Sequence, residues 1–207
     1  TSHDVVHKIR RNFSIRKVGH GGTLDPAATG LLILLLGRAT KQSQFFISSD
    51  KTYRGVMHLG VSTATHDAEG EITGESDPSG VTREQVEELA AGMKGDMMQK
   101  PPMVSAVKVD GVPLYKRARK GEEVERKPRL IHVYRFKIKD FELPRVGFEL
   151  KCSKGTYVRA ICADIGDSLG CGAHLAELRR TECGDFKVQD AMPFDAILKM
   201  TMEELAA

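Results

Sequence analysis

Residues 19–30 read GHGGTLDPAATG and run directly into LLILLLG at 31–37. Glycines crowd a single acid, Asp25, which Pro26 stiffens on its C-terminal side. Such a loop lets a ligand approach the backbone closely, because glycine adds no Cβ and reaches conformations that other residues avoid. An Asx turn with Asp25 as a local cap accounts for the same residues equally well. The stretch has neither the GK[ST] ending of a phosphate-binding loop nor a third glycine at dinucleotide-binding spacing. Its apolar continuation, Leu31 to Leu36, suits a buried strand and falls well short of a membrane span.

Outward from this loop the chain alternates strand and helix patterns. Upstream, Ser2-His-Asp4 can cap a helix whose apolar face is Val5, Val6, Ile9 and Phe13. Downstream, a helix is predicted over Ala39 to Ile47 and an alternating strand over Tyr53 to Leu59. Residues 62–80 read as an acidic loop with a short strand near Ile72. Thr82 and Gln85 form a capping box that opens a helix running to about Ala91. The Met97-Met98 pair reads as packing. Residues 99–130 form a basic insertion: Asp110-Gly111 marks a hairpin, Pro113 can start a short helix and Gly121 can stop it. Two strands over 130–139 and 146–152 precede a helix from about Tyr157 to Leu169, ended by Gly170 and Gly172. The segment HLAELRRTECGDF follows. Strands joined both locally and through helices predict an α+β domain around a mixed, largely antiparallel sheet flanked by helices.

At 207 residues, with 41% hydrophobic and 29% charged, the chain fits one large domain, 1–207, with a substantial core. A net charge of +3 is too weak to imply a polyanion by itself. Its distribution is more telling. Lys8, Arg10, Arg11, Arg16 and Lys17 cluster near the start, a second basic stretch covers 108–135, and 65–96 is acidic. This polarity could attract nucleic acid on one side, and solvated faces explain it about as well. Cys152, Cys162, Cys171 and Cys183 show neither CxxC nor zinc spacing, which predicts reduced thiols in an intracellular protein, cytoplasmic or organellar. His3 and His7 share a helix face but lack a third ligand, so no metal is expected.

Residues 17–41, KVGHGGTLDPAATGLLILLLGRATK, closely resemble the catalytic motif of the TruB family of pseudouridine synthases. The resemblance continues in order through Lys51-Thr-Tyr53-Arg, Thr63-Ala-Thr65-His-Asp67-Ala-Glu-Gly70, Pro101-Pro-Met-Val-Ser105-Ala-Val-Lys108, Gly155-Thr-Tyr157-Val-Arg159 and Cys171-Gly-Ala-His174-Leu-Ala-Glu-Leu178-Arg-Arg180-Thr. It implies the pseudouridine synthase fold, with 99–130 as a thumb-like RNA-binding insertion. It further implies that the family's N-terminal strand and C-terminal PUA domain are absent. Val104 stands where the family usually has tyrosine, and Ala64 where it usually has aspartate.

Residue by residue, the resemblance makes Asp25 the catalytic carboxylate, a plausible covalent catalyst at a sugar carbon. Arg159 would pair with it and Asp67 would support that network. Tyr53 would stack on the target base and Tyr157 would line the pocket beside Leu178, as suits a base taken out of its stack. His20 would fill the space the base leaves. Lys108, Lys116 and Arg117, with Arg119 and Lys120, would contact RNA phosphates. The implied reaction isomerises uridine at position 55 of the tRNA T-loop without metal or cofactor. The implied partner is the T-arm stem-loop, met by a monomer with no membrane and no obligatory protein partner. Two alternatives remain: the same chemistry on an RNA chosen by a partner or guide, or a silent RNA-binding module.

Overall fold

The computed structural model describes residues 1–105, 107–118 and 120–206. In chain order the elements are α1 (Ser2–Asn12), β1 (Val18–His20), β2 (Thr29–Gly30), β3 (Leu34–Leu36), α2 (Ser43–Ser48), β4 (Lys51–Leu59), β5 (Val61–Thr63) and β6 (Ile72–Glu75). There follow α3 (Arg83–Gly92), β7 (Gly95–Gln99), β8 (Lys108–Val109), β9 (Val112–Pro113), α4 (Leu114–Ala118), β10 (Arg129–Glu142) and β11 (Arg145–Cys152). The chain ends with α5 (Val158–Leu169), β12 (Ala173–Cys183), β13 (Phe186–Lys187), α6 (Phe194–Ile197) and α7 (Met202–Ala206). Its contacts fall into two compact units, Thr1–Tyr53 with Arg179–Ala207, and Arg54–Leu178. This is an α+β architecture with a mixed sheet, as the patterning predicts.

In the first unit Val6 and Ile9 of α1, with Phe13 at its C-cap, are buried against Val18, and Phe194, Ile197 and Leu198 pack around them. Its cap differs from the expectation by one residue: Thr1 accepts from the Asp4 N–H and the Asp4 side chain returns to Thr1. LLILLLG is only half a strand. Leu34–Leu36 pairs antiparallel with β1, whereas Leu31–Ile33 is irregular. The predicted helix at 39–47 opens as a 3-10 turn, Gly37–Gln42, before α2.

In the second unit the strands β11, β10 and β7 lie side by side in that order, and both β10–β11 and β10–β7 are antiparallel. Ile131, Val133, Phe136 and Ile138 are buried on one side of β10. Helices α3 and α5 contribute buried Val86, Ala90, Val158, Ile161 and Ile165 to this unit's core. The Thr82–Gln85 capping box forms as the sequence predicts. HLAELRRTEC, unassigned by pattern, becomes the long strand β12. Its leucine, alanine, glutamate and arginine favour helices by propensity, and sheet pairing overrides that preference. Residues 100–128 connect β7 to β10 where Arg129 faces Gln99 across the ladder. Within that connection Asp110 and Gly111 both take positive φ, 51° and 79°, and close the β8–β9 hairpin. Among the described residues no helix is long and apolar enough to cross a membrane. All four cysteines are buried, and burial pushes the Cys162 thiol far above its usual range.

Candidate active site

The Asp25 loop is pinned from both sides within the first unit. Ser2 Oγ, buried at the start of α1, accepts from the Leu24 N–H at 2.9 Å. On the other side Arg180 is only 2% exposed, and its guanidinium donates to three main-chain carbonyls: Leu31 at 2.8 Å, Thr23 at 3.3 Å and Gly22 at 3.1 Å. Strand β2 runs parallel to β12 with Gly30 opposite Arg180, and the Leu31 N–H donates back to the Arg180 carbonyl at 2.9 Å. One side chain thus holds both limbs of the loop, and between them the Asp25 main-chain carbonyl opens a turn by accepting from the Ala28 N–H at 2.9 Å. The family resemblance assigns Arg180 no role. Two adjacent arginines in a strand of mixed polarity were the available signal, since only one of them can face solvent.

Asp25 is half-buried and lines a cavity of about 510 Å³ with Leu24, Pro26, Arg179, Met192 and Phe194. His20 and Tyr53 are not among its lining residues. His20, half-buried on β1, accepts from the Gly22 N–H through Nδ1 at 3.3 Å. Tyr53 sits near the start of β4, anchored by Lys51. The buried Lys51 ammonium donates to the carbonyls of Phe46, Ile47 and Ser49 at 2.6–2.9 Å and closes the C-terminal end of α2. Gly30 has φ +97°, and a Cβ placed there would lie 2.2 Å from the Arg180 carbonyl oxygen. Gly30→Ala is therefore expected to lose at least about 2 kcal/mol, because backbone strain adds to a contact that cannot relax without parting β2 from β12. Equilibrium denaturation checks this, and a midpoint equal to the parent's would refute it.

The second unit gathers Arg159, Asp67 and Tyr157. Arg159, 4% exposed in the first turn of α5, lies 3.5 Å from Asp67 Oδ2 and donates to the carbonyls of Thr65 at 3.3 Å and Val104 at 2.8 Å. The other Asp67 oxygen accepts from Thr65 Oγ1 and the Glu69 N–H. Arg159 lies over the Tyr157 ring at 5.9 Å. Because Val104 contributes its carbonyl, replacing tyrosine by valine there leaves this contact intact. Gln99, unnoticed in the sequence and buried at the end of β7, accepts from the Tyr157 N–H at 2.8 Å and donates to its carbonyl at 3.0 Å. Leu178 is half-buried on β12. Lys108 and Lys116 are exposed on the 100–128 connection, as is Lys120. Arg117 instead turns inward, donating to the Val109 carbonyl at 3.3 Å and lying 3.5 Å from Asp110, so it braces the hairpin. Arg119 lies outside the described residues.

Three histidines titrate below their ordinary value of 6.5. Burial is the main cause for His20, His58 and His66, followed by neighbouring positive groups: His3 and Arg180, His174, and Arg159 respectively. A histidine whose folded pKa is depressed binds its proton more readily in the unfolded chain, so stability is full above about 6.5 and falls as the pH drops below it. Melting temperature should decline between pH 6.5 and 5, and His58→Gln should flatten that decline. A decline identical in His58→Gln and the parent would show that His58 contributes nothing to it.

Among solved structures, the chain resembles one described as a Cbf5–Nop10–Gar1 complex, with TM-score 0.70 and 33% identity over 90% of this chain and 46% of the other. It also resembles one described as an H/ACA RNP bound to a substrate RNA containing 2′-deoxyuridine, with TM-score 0.66 and 29% identity over 90% of this chain and 45% of the other. The chain spans less than half the length of those solved chains. Its fold is that of the pseudouridine synthases, a class of isomerases. The family model for the N-terminal domain of TruB family pseudouridylate synthases matches residues 10–158, and the tRNA pseudouridylate synthase B C-terminal domain matches residues 159–207. The chain belongs to the TruB family. Proteins named tRNA pseudouridine synthase B are similar over nearly its whole length. The one from Opitutus terrae is 52% identical, covering 99% of this chain and 85% of the relative. The one from Syntrophotalea carbinolica is 50% identical, covering 99% and 67%.

Proposed function

We propose that this chain isomerises uridine to pseudouridine in tRNA, at position 55 of the T-loop, with Asp25 as the catalytic carboxylate. The N1–C1′ bond breaks and a C5–C1′ bond forms. C5 gives up its proton and N1 gains one, so the composition is unchanged. Asp25 acts at the ribose, either as a nucleophile or by removing a sugar proton, and Arg159 is the cation that acts with it. Tyr53 and Tyr157 hold the extruded base beside Leu178, and His20 occupies the vacated stack. Asp67 fixes Arg159. Lys108 and Lys116 meet phosphates, and Arg117 holds the hairpin that presents them.

The observation that carries this reading is the double anchoring of the Asp25 loop by Ser2 and Arg180. A carboxylate that must meet a sugar carbon gains from a backbone already fixed before substrate arrives. The similarity to proteins named tRNA pseudouridine synthase B supports tRNA as the substrate. Residues 1–207 are proposed as one catalytic domain, sufficient for the T-arm. The test is to incubate the chain with unmodified tRNA, an isolated T-arm stem-loop and tRNA lacking its 3′ end, then map pseudouridine at single-nucleotide resolution. One modified uridine is expected in all three, with the stem-loop rate approaching that of whole tRNA. A silent stem-loop beside active tRNA would refute T-arm sufficiency, and three unmodified RNAs would refute the function.

A further inference from the structure

Strand β10 turns Ile131, Val133, Phe136 and Ile138 into the core of the second unit and leaves its other face open. That open face joins apolar and aromatic side chains to cations. Leu130 is 66% exposed opposite Met98, which is 61% exposed, so the methionine pair read as packing is split: Met97 is half-buried while Met98 stands outside. Next along β10, His132 and Tyr134 place their ring centroids 4.5 Å apart at a 50° tilt, and Tyr134 is 46% exposed. Asp96 holds the His132 edge at 2.6 Å from Nδ1. A register shift between Val133 and Arg135 leaves Tyr134 and Arg135 both exposed, the re-aiming that a β-bulge produces.

Charge on this face is one-sided. Arg135 sits opposite Lys151 across the β10–β11 ladder, and Lys137 sits opposite Glu149. Glu149 is already engaged by Arg135 at 2.7 Å and Arg54 at 3.7 Å, and Asp96 by His132, so the surplus is positive. Within the same unit the patch is linked to the Tyr157 segment. Gln99, the residue after Met98, grips the Tyr157 backbone.

We propose that this face is a second RNA-binding surface, which takes nucleotides flanking the target uridine. The His132–Tyr134 pair and the Met98–Leu130 strip receive bases or riboses, while Lys137, Lys151 and Arg135 meet phosphates. Sheet faces that combine aromatic rings with a cationic rim bind single strands in this way. A protein partner would need acids for the surplus cations, whereas an RNA strand supplies charge and stacking surface together. The proposal rests on the reading of the chain as an RNA-modifying enzyme, and its test separates the two.

The test uses the full chain with unmodified tRNA as probe. Tyr134→Ser should weaken binding by about tenfold, within the range for losing one base–aromatic contact. Tyr134→Phe should restore it, and kcat at saturating RNA should not change in either. Lys137→Glu combined with Lys151→Glu should lower the slope of log affinity against log salt by about two. Melting curves confirm that each variant folds. Affinity and slope equal to the parent's in folded variants would overturn the proposal, as would variants that bind RNA normally but lose association with a protein. Binding that depends on Tyr134 in a parent chain that makes no pseudouridine would uphold the surface and sink the proposed reaction.

Discussion

Asp25→Asn is expected to abolish pseudouridine formation, lowering single-turnover rates by at least about ten-thousand-fold, the scale on which removal of a catalytic nucleophile acts in an otherwise intact site. The fold should survive, because the loop is held through main-chain groups. Ser2 engages Leu24, and Arg180 engages Gly22, Thr23 and Leu31. None of those bonds uses the Asp25 side chain. RNA affinity should therefore change by less than about threefold, because asparagine keeps the size of the side chain and those main-chain bonds remain. Turnover within tenfold of the parent would falsify the assignment. Loss of both turnover and thermal stability would mean that the carboxylate is a structural cap.

Arg159→Ala is expected to act on stability and rate together. The guanidinium is almost fully buried, and its removal leaves Asp67 without its cation and the carbonyls of Thr65 and Val104 without a donor. Breaking a buried ion pair by deleting one partner costs about 3–5 kcal/mol. The rate on saturating RNA should fall by about a hundredfold or more, the scale of losing one preorganised electrostatic group. Arg159→Lys should recover stability only in part, because an ammonium cannot reproduce the planar fork that reaches two carbonyls and a carboxylate. Denaturation and single-turnover kinetics separate the two effects. Unchanged kcat with weakened RNA affinity would make Arg159 a phosphate contact.

The sequence is most legible where local chemistry decides the outcome. The Thr82–Gln85 capping box and the Asp110-Gly111 turn form as read, since each depends on a few adjacent residues. Local pattern failed where a distant partner decides. LLILLLG pairs only at Leu34–Leu36, because the main chain at Leu31 is claimed by Arg180. β12 was hidden by helix-favouring residues that its sheet neighbours override. The positioning of the Asp25 loop was invisible for the same reason. Ser2, Arg180 and Gln99 act on main-chain atoms far away in sequence, and nothing near them marks that use. Motif resemblance singles out Asp25, Tyr53 and Arg159 as candidates, but only geometry separates Arg117, which braces a hairpin, from exposed Lys116.

The Arg180 clamp joins residues about 150 positions apart in the chain. During synthesis the Asp25 loop leaves the ribosome long before the strand that fastens it, and closing so long a span is costly until that strand arrives. A nascent or prematurely released chain ending before Arg180 would carry every residue of the GHGGTLDPAATG loop yet lack the side chain that gathers its limbs. Ordering of the loop is thereby deferred until β12 has been made. An incomplete product lacks this clamp, and a separately supplied piece that contains Arg180 offers a natural point for dividing the chain into two complementing fragments.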